Sequence, residues 1–364
     1  MSATYNMIDL FCGCGGFSLG FQQAGFSVRL GIDLWSDATV TYKHNFPAAL
    51  VLNEDIKSVS GNGIAEILSV SKNEIDVIVG GPPCQGYSVS GKRNEDDPRN
   101  ALYKSFVRIV RSIKPKIFVM ENVPGLVRLF RGKALESVIS DFSALGYKVT
   151  HRILSADTYG VPQQRRRVFF VGLNTKKIKQ TDEFEFPVQT HGNGTGVALL
   201  TCKNAISDLD FVPDDHVLGE DIEYQMSAET PYQELMRMGS QRLLNHSITL
   251  HKARTKEIIA MVPDGGNYKT LPQELWSTRK VNIAWTRMDS NKPCFTIDTG
   301  HNHHFHYRAN RVPTVRESAR IQSFPDVFEF VGIKTSQLKQ VGNAVPPLLV
   351  EVLAREIKSI LDKG

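Results

Sequence analysis

The cysteine at position 84 lies in the run 75–93, IDVIVGGPPCQGYSVSGKR, among residues that suit a reactive thiol better than a packed one. Ile75, Val77, Ile78 and Val79 form a short apolar run of the kind that makes a buried parallel strand. Gly80-Gly81-Pro82-Pro83 ends it, because proline cannot donate to a sheet ladder. Cys84 is therefore expected just past a strand's carboxyl end, where open α/β sheets bind their ligands. The polar residues that follow, Ser88, Ser90, Gly91, Lys92 and Arg93, could close over an anionic partner. A thiol on a rigid platform with a basic segment behind it reads as a nucleophile with a lid. Most free cysteines are buried and inert, but the neighbours here are turn formers and cations rather than core residues.

Two further groups could work with that thiol. Glu121 ends the apolar run Phe118-Val119-Met120 and precedes Asn122-Val123-Pro124-Gly125. If its strand neighbours the one before Cys84, both residues face one crevice, where a carboxyl could donate to or bind a ring nitrogen. Gln163-Gln164-Arg165-Arg166-Arg167 leads into Val168-Phe169-Phe170-Val171. Consecutive arginines are commonly a solvated surface. On a strand, however, Arg165 and Arg167 share one face and could both point into the crevice.

A glycine-rich turn, Asp9-Leu10-Phe11-Cys12-Gly13-Cys14-Gly15-Gly16, stands between a first strand and a first helix, the position of a nucleotide-binding turn. Its glycines let backbone approach a ligand at a helix N-terminus. The spacing is not GxGxxG, so a pyrophosphate-bearing dinucleotide fits poorly. Asp33 at the tip of a second strand could hold ribose hydroxyls, and Asp55 at the tip of a third could hold an adenine amino group. An adenosine with a small zwitterionic tail suits this set better and points to S-adenosylmethionine.

The elements that must position these residues alternate strand and helix: strands at 7–11, 28–32, 50–52, 75–79 and 116–120, with helices near 37–45 and 101–113. That βαβ rhythm argues for an α/β, doubly wound parallel sheet. Residues 147–154 and 168–173 read as two more strands around a turn with Gly160 and Pro162. The rhythm is lost over 176–292, which reads as an inserted, loop-rich domain. Helical spacing resumes at 314–322, and 346–361 is an amphipathic terminal helix. The expected division is 1–175, 176–292 and 293–364, the last returning to the first domain.

Composition is that of a globular chain: 364 residues, 41% hydrophobic and 22% charged. The net charge of +5 permits a polyanionic partner without demonstrating one. No apolar stretch approaches the length of a membrane span, and no basic-then-apolar signal peptide opens the chain. Cys12, Cys14, Cys84, Cys202 and Cys294 form no disulfide framework, so a reducing cytoplasm is expected.

Taken in order, the blocks DLFCGCGGFSLGF, PPCQGYS with Cys84, ENVPGL with Glu121, QQRRR, RESARIQSFPD at 316–326 and QVGNAVPP at 340–347 resemble the DNA (cytosine-5) methyltransferases of bacterial restriction-modification type. They cover nearly everything outside about 176–290. The resemblance implies an S-adenosylmethionine-dependent (Rossmann-like) catalytic domain interrupted by a target-recognition domain. It implies that Cys84 thiolate adds to cytosine C6 while Glu121 engages N3 and the exocyclic amine. Arg167 and Arg165 would hold the base carbonyl. It places Phe11, Gly13, Gly15 and Gly16 on the methionine and adenosine end of the cofactor, Asp33 on its ribose, and Asp55 and Ile56 on its adenine. Leu34, Pro82, Leu102 and Asn343 would line the remaining walls. The chain departs from the family pattern in having Asp33 where glutamate is usual, and Leu34 where tryptophan is frequent. Gln85, Ser88, Ser90, Lys92, Arg93 and Gln163 are expected to meet DNA. The expected enzyme is a cytoplasmic monomer acting on a flipped cytosine in a short sequence of double-stranded DNA, protecting it from a cognate endonuclease.

Other features carry plainer expectations. The His-rich run 301–306 lacks a complete tetrahedral ligand set, so no metal is expected. Arg279, Lys280, Arg287, Arg308 and Arg311 could line DNA, although scattered arginines are commonly just surface. A tRNA-modifying branch shares the same catalytic blocks. The length of the presumptive recognition segment favours a reader of duplex DNA, and the intact Cys84, Glu121 and Arg167 argue against an inactive binding relative.

Overall fold

Short apolar runs buried on both faces build the central sheet of the computed structural model, which describes residues 4–83, 100–179, 183–209, 221–278, 285–299 and 304–363. The chain divides into two compact units. The first comprises Met1–Ser155, Arg166–Val188 and Leu349–Gly364. In chain order it holds β1 (Asn6–Leu10), α1 (Gly16–Gln23), β2 (Ser27–Ile32), α2 (Ser36–Asn45), β3 (Leu50–Leu52), α3 (Gly61–Ile67) and β4 (Val77–Gly80). It continues with α4 (Asn100–Ile113), β5 (Ile117–Asn122), α5 (Lys133–Ser143) and β6 (Tyr147–Ser155). After β7 (Gln163–Gln164), which belongs to the second unit, β8 (Arg166–Asn174) returns to the sheet.

The seven strands lie in the order β3-β2-β1-β4-β5-β8-β6. The five on the β3 side are parallel, as the βαβ rhythm requires. β8 runs antiparallel to both β5 and β6. The parallel sheet read from the first five strands is thus extended by the two strands expected around a turn. These pair antiparallel because the connection 156–165 holds only a short helical turn at Ala156–Tyr159 and cannot carry a crossover.

Period-two alternation sends Ile8, Leu10, Leu30, Ile32, Ile78, Phe118, Met120, Val168 and Phe170 to one face, against Ile64 of α3, Phe106 and Val110 of α4 and Phe142 of α5. The opposite face is covered by α1 and α2. Phe17 meets Phe169 edge-on at 6.2 Å, and the Tyr42 ring lies so close to Gly31 that a Cβ there would stand 2.5 Å from it. Helices on both faces make the sheet doubly wound.

The second unit comprises Ala156–Arg165 and Gln189–Leu348. Besides β7 it holds α6 (Cys202–Ile206), β9 (Asp221–Ile222), α7 (Pro231–Arg237), β10 (Leu243–Leu244), α8 (Ala253–Ala260) and β11 (Thr286–Arg287). After these come β12 (Cys294–Phe295), β13 (His304–Phe305), α9 (Val315–Ile321) and α10 (Lys334–Asn343), before α11 (Pro347–Lys363) leads the chain back. Among the described residues its strands form two-residue ladders: β9 with β10, β11 with β13 and β7 with β12.

Buried charge supplies much of this unit's internal order. All seven residues of α9 are buried, and its ionic groups are matched. Glu317 takes a two-pronged contact from Arg311 at 2.8 and 2.6 Å. Arg320 reaches Asp208 at 2.6 Å and Asp326 at 2.6 and 2.9 Å. Arg287 donates to the carbonyls of Val262, Ile259, His306 and Ala309. Arg287 and Arg311 are thus interior braces, not a DNA-facing surface, because each guanidinium is consumed by buried acceptors. Arg279 and Lys280 lie outside the described residues. Among the described residues no helix is long and apolar enough to cross a membrane.

Within the sheet, Gly172 leaves room for the Phe118 ring, which stacks on Phe142 with centroids 3.9 Å apart; a Cβ at Gly172 would fall 1.9 Å from Phe118. Gly172→Ala should therefore destabilise the protein by about 2–3 kcal/mol, in the overpacking range. Equilibrium denaturation checks this, and a loss below about 0.5 kcal/mol would show that the ring has space to move.

Candidate active site

The carboxyl ends of β4 and β5 and the amino end of the antiparallel β8 assemble the first part of the site. Register places Gly80 opposite Met120 and Glu121 opposite Phe169. Gly81 and Glu121 therefore leave their strands side by side, and a Cβ on Gly81 would lie 3.0 Å from Glu121 Oε2. Arg167, two residues before Phe169 and on the same face, brings its Nε to 2.8 Å from Glu121 Oε1. Both side chains are largely but not fully shielded, at 17% and 12% exposure, enough for the pair to be stronger than a surface contact. Arg167 also donates to the Arg166 carbonyl at 2.8 Å, which limits the swing of its guanidinium.

Asn122, the last residue of β5, holds the neighbouring turn. Its buried amide donates from Nδ2 to the Pro82 carbonyl at 3.0 Å and accepts the Val123 N–H at 2.9 Å. The backbone two residues before Cys84 is thereby tied to the strand that carries Glu121. Asn122 was legible as part of the ENVPGL block, but nothing in its spacing announced this bond.

Cys84 itself, with Gln85, Ser88, Ser90, Lys92 and Arg93, lies outside the described residues. The other four cysteines, Cys12, Cys14, Cys202 and Cys294, are buried and unpaired by disulfides. Burial drives the thiols of Cys12, Cys14 and Cys294 well above their ordinary range, which makes them poor nucleophiles.

Arg165 and Gln163 belong to the second unit. Arg165 is buried and donates to the Ile297 carbonyl at 3.3 Å. The strand is interrupted at 165, between β7 and β8. Gln163 is fully buried, its amide bonded to Gln322, to the Ile321 carbonyl and to the Ile297 N–H. It braces the turn from inside that unit instead of presenting its side chain to DNA, since both ends of the amide are already satisfied.

A second cluster forms at the carboxyl ends of β1, β2 and β3, which are adjacent in the sheet. Asp33 accepts the Gly13 N–H through Oδ2 and the Trp35 N–H through Oδ1, each at 2.8 Å. Burial raises the Asp33 carboxyl above its ordinary range, and these N–H groups oppose the rise. Gly15 caps α1 at φ 108°, and a Cβ there would meet the Phe46 ring at 2.3 Å, so this position admits only glycine. Gly13, at φ 51°, faces open space. Gly16 opens α1, and Phe11 is half-buried with φ 69°.

Leu34 projects with 69% of its surface exposed, a large apolar side chain beside two carboxylates. Asp55 is half-buried, with Oδ1 accepting the Lys57 N–H at 3.0 Å, and Ile56 is buried behind it. Pro82 is buried at the end of β4, and Leu102 packs from α4 against the core. Asn343 ends α10 in the second unit and is exposed. Two carboxylates, an open glycine turn and an exposed apolar platform suit a neutral or cationic nucleoside. They would repel a pyrophosphate.

Beneath this cluster Asp9 is fully buried, accepting from the Ser18 hydroxyl at 2.8 Å, and Ser18 also bonds Tyr42 at 2.7 Å. Burial raises its carboxyl to about 8, with the Asp33 charge adding to the rise and the Ser18 bond opposing it. Sequence alone marked Asp9 only as part of the glycine-turn block. Among the described residues no group of three or more His, Cys, Asp or Glu side chains is placed to hold a metal, and His301 and His303 lie outside them. His306 is buried, its Nδ1 accepting the N–H groups of Arg308 and Ala309.

Comparison with known proteins gives a consistent result. Residues 5–359 match the family model for C-5 cytosine-specific DNA methylase. Type II methyltransferase M.DdeI of Desulfomicrobium norvegicum is 40% identical over 97% of this chain and 88% of its own length. Type II methyltransferase M1.HphI of Haemophilus parahaemolyticus is 37% identical over 98% of this chain and 87% of its own. Among solved structures, a prophage-encoded E. coli protein assigned as a DNA modification methyltransferase superposes with a TM-score of 0.80 at 29% identity, over 98% of this chain and 99% of that one. The S. pombe Dnmt2 methyltransferase shares the fold at a TM-score of 0.58 and 15% identity, over 99% of each chain.

The buried Asp9 has a measurable consequence. Its folded-state value near 8 lies above the roughly 3.9 of an unfolded aspartate, so the folded chain retains a proton that the unfolded chain has lost. Asp9's contribution to stability is therefore complete below about pH 4 and is lost as pH rises towards 8. Denaturation at pH 5, 7 and 9 should show wild-type stability falling more steeply than that of Asp9→Asn. Equal slopes would mean that Asp9 ionises normally.

Proposed function

The chain belongs to the C-5 cytosine-specific DNA methylases and is a DNA cytosine-5 methyltransferase of the restriction-modification type; from that premise we propose that it methylates a flipped-out cytosine through a covalent bond to Cys84. The observation that carries this reading is the Glu121–Arg167 pair beside Gly81, at the strand end that leads into Cys84. The four described cysteines, being buried, leave Cys84 as the natural nucleophile.

Cytosine C5 is too weak a nucleophile to take a methyl group unaided. Addition of Cys84 thiolate to C6 moves an electron pair onto C5 and makes it enamine-like. Glu121 engages N3 and the exocyclic amine, offsetting the charge that builds on the ring. Arg167 orients that carboxylate and offers its remaining donors to the base carbonyl. Arg165, bonded within its own unit, contributes by holding the turn on which Arg167 follows. S-adenosylmethionine supplies an electrophilic methyl group when bound. The C5–methyl bond then forms at the expense of the methyl–sulfonium bond, with S-adenosylhomocysteine as the leaving group. The C5 proton leaves to a base, and the C6–sulfur bond breaks to restore aromaticity and free Cys84. A base inside a duplex cannot reach these groups, so it must be flipped out, at an unstacking cost on the order of a few kcal/mol.

The second cluster is the proposed cofactor site. Gly13, Gly15, Gly16 and Phe11 would receive the methionine end, Asp33 the ribose hydroxyls, and Asp55 with Ile56 the adenine. Leu34 would pack on the ring, with Pro82, Leu102 and Asn343 as further walls. Gln85, Ser88, Ser90, Lys92 and Arg93 would follow the DNA strand. The second unit, which includes most of 176–292, would read the target sequence. We further propose a cytoplasmic monomer whose substrate is double-stranded DNA and whose product resists a cognate endonuclease.

Transfer of labelled methyl from S-adenosylmethionine to unmethylated duplex DNA, followed by bisulfite sequencing, tests the proposal. Wild type should modify cytosines within one short motif, and Cys84→Ser should lose at least about a thousandfold in rate. Substantial transfer by the serine variant would overturn the covalent step. Transfer to tRNA but not to DNA would reassign the substrate.

A further inference from the structure

Helix α4 follows the segment that contains Cys84, and from its middle Arg108 reaches across to the loop after β3. The half-buried guanidinium donates to three backbone carbonyls of that loop: Val59 at 2.7 Å, Ile56 at 2.8 Å and Lys57 at 3.4 Å. These are carbonyls of a turn without ladder partners, and a cation with a rigid planar fork is well suited to gather them. The same loop folds on itself through Asp55, whose carboxylate accepts the Lys57 N–H and whose carbonyl accepts the Ser58 hydroxyl at 2.7 Å.

The chain of bonds continues toward the glycine turn. Asn53 donates to the Asp33 carbonyl at 3.0 Å, and the Asp33 carboxylate holds the Gly13 N–H. A short polar relay thus runs from α4 through the β3 loop to the end of β2 and the turn after β1, wholly within the first unit. Leu102, on the same helix, belongs to the proposed cofactor wall.

We propose that Arg108 is a positioning residue for the adenosine end of the cofactor, fixing Asp55 and Ile56 from behind and tying their loop to the helix that follows Cys84. The inference rests on the cofactor assignment above and deepens it. Arg108 touches carbonyl oxygens only and takes no part in the methyl-transfer chemistry. Its removal frees three loop carbonyls to seek water, so the loop samples conformations in which Asp55 and Ile56 no longer converge.

Titration calorimetry with S-adenosylhomocysteine, on wild type, Arg108→Gln and Arg108→Lys, together with steady-state methyl transfer, provides the test. Arg108→Gln should weaken binding by about tenfold to a hundredfold, the range set by charge-assisted hydrogen bonds. KM for S-adenosylmethionine should rise in parallel, while kcat at saturation and KM for DNA stay within about twofold. Arg108→Lys, with one point donor for three acceptors, should fall between. Lower thermal stability with unchanged affinity in both variants would overturn the inference and leave Arg108 a structural brace. A fall in kcat and in both KM-derived affinities together would overturn it too, by showing a general loss of fold. If wild type itself bound no S-adenosylhomocysteine, the cofactor assignment would fall and this inference with it.

Discussion

Burial on both faces fixes the register of β4, β5 and β8, and the candidate chemistry depends on that register more than on any single side chain. A one-residue slip of β5 against β8 would turn Glu121 to the opposite face from Arg167, since strand side chains alternate. Phe118 and Met120 on one side, with Val119 and Ile117 on the other, are all fully buried, so no slip is available without exposing large apolar groups. The ion pair at 2.8 Å is thus imposed by the core. The antiparallel direction of β8 matters as well, because it brings the beginning of that strand, with Arg167, to the end of β5 where Glu121 stands.

The two candidate clusters use this platform differently. At β4 and β5 the strand ends carry the Glu121 carboxylate, paired with Arg167, and the approach to Cys84, braced by the Asn122 amide. At β1 to β3 they carry an open glycine turn and two carboxylates whose backbone contacts hold the loops in shape. Asp33 pins Gly13 and Trp35 while each of its oxygens retains a further lone pair. Asp9 below it stays protonated over the neutral range, which keeps a second buried negative charge from accumulating under the turn.

The second unit has short strands and relies on a different source of order. Its α9 is buried throughout and carries arginines and a glutamate whose charges are met by a shared network of buried partners inside the unit. Such pairs are poor sources of net stability, but loss of one partner costs about 3–5 kcal/mol because it strands the other. Each buried charge is thereby held to the loop arrangement that supplies its partner. The same logic explains Arg287, whose guanidinium gathers carbonyls that have no ladder to join. Linear charge density reads such residues as surface, and only their acceptors reveal them as interior.

How much was legible in the chain follows from the range of the forces involved. Apolar runs ending in Gly-Gly-Pro-Pro, in Glu121 and in Asp33 marked the strands and the side of the sheet where chemistry gathers, because periodicity and turn chemistry are local. The ordered blocks around Cys84, Glu121 and Arg167 identified the family on the same footing. What the fold alone decided depends on contacts between residues far apart in sequence. It set Arg165 against the Ile297 carbonyl, turned Gln163 inward, and gave Arg108 three carbonyls some fifty positions away. It also set β8 between β5 and β6, a strand order that no local pattern specifies. Local pattern says which residues can react, and burial with register says which of them meet.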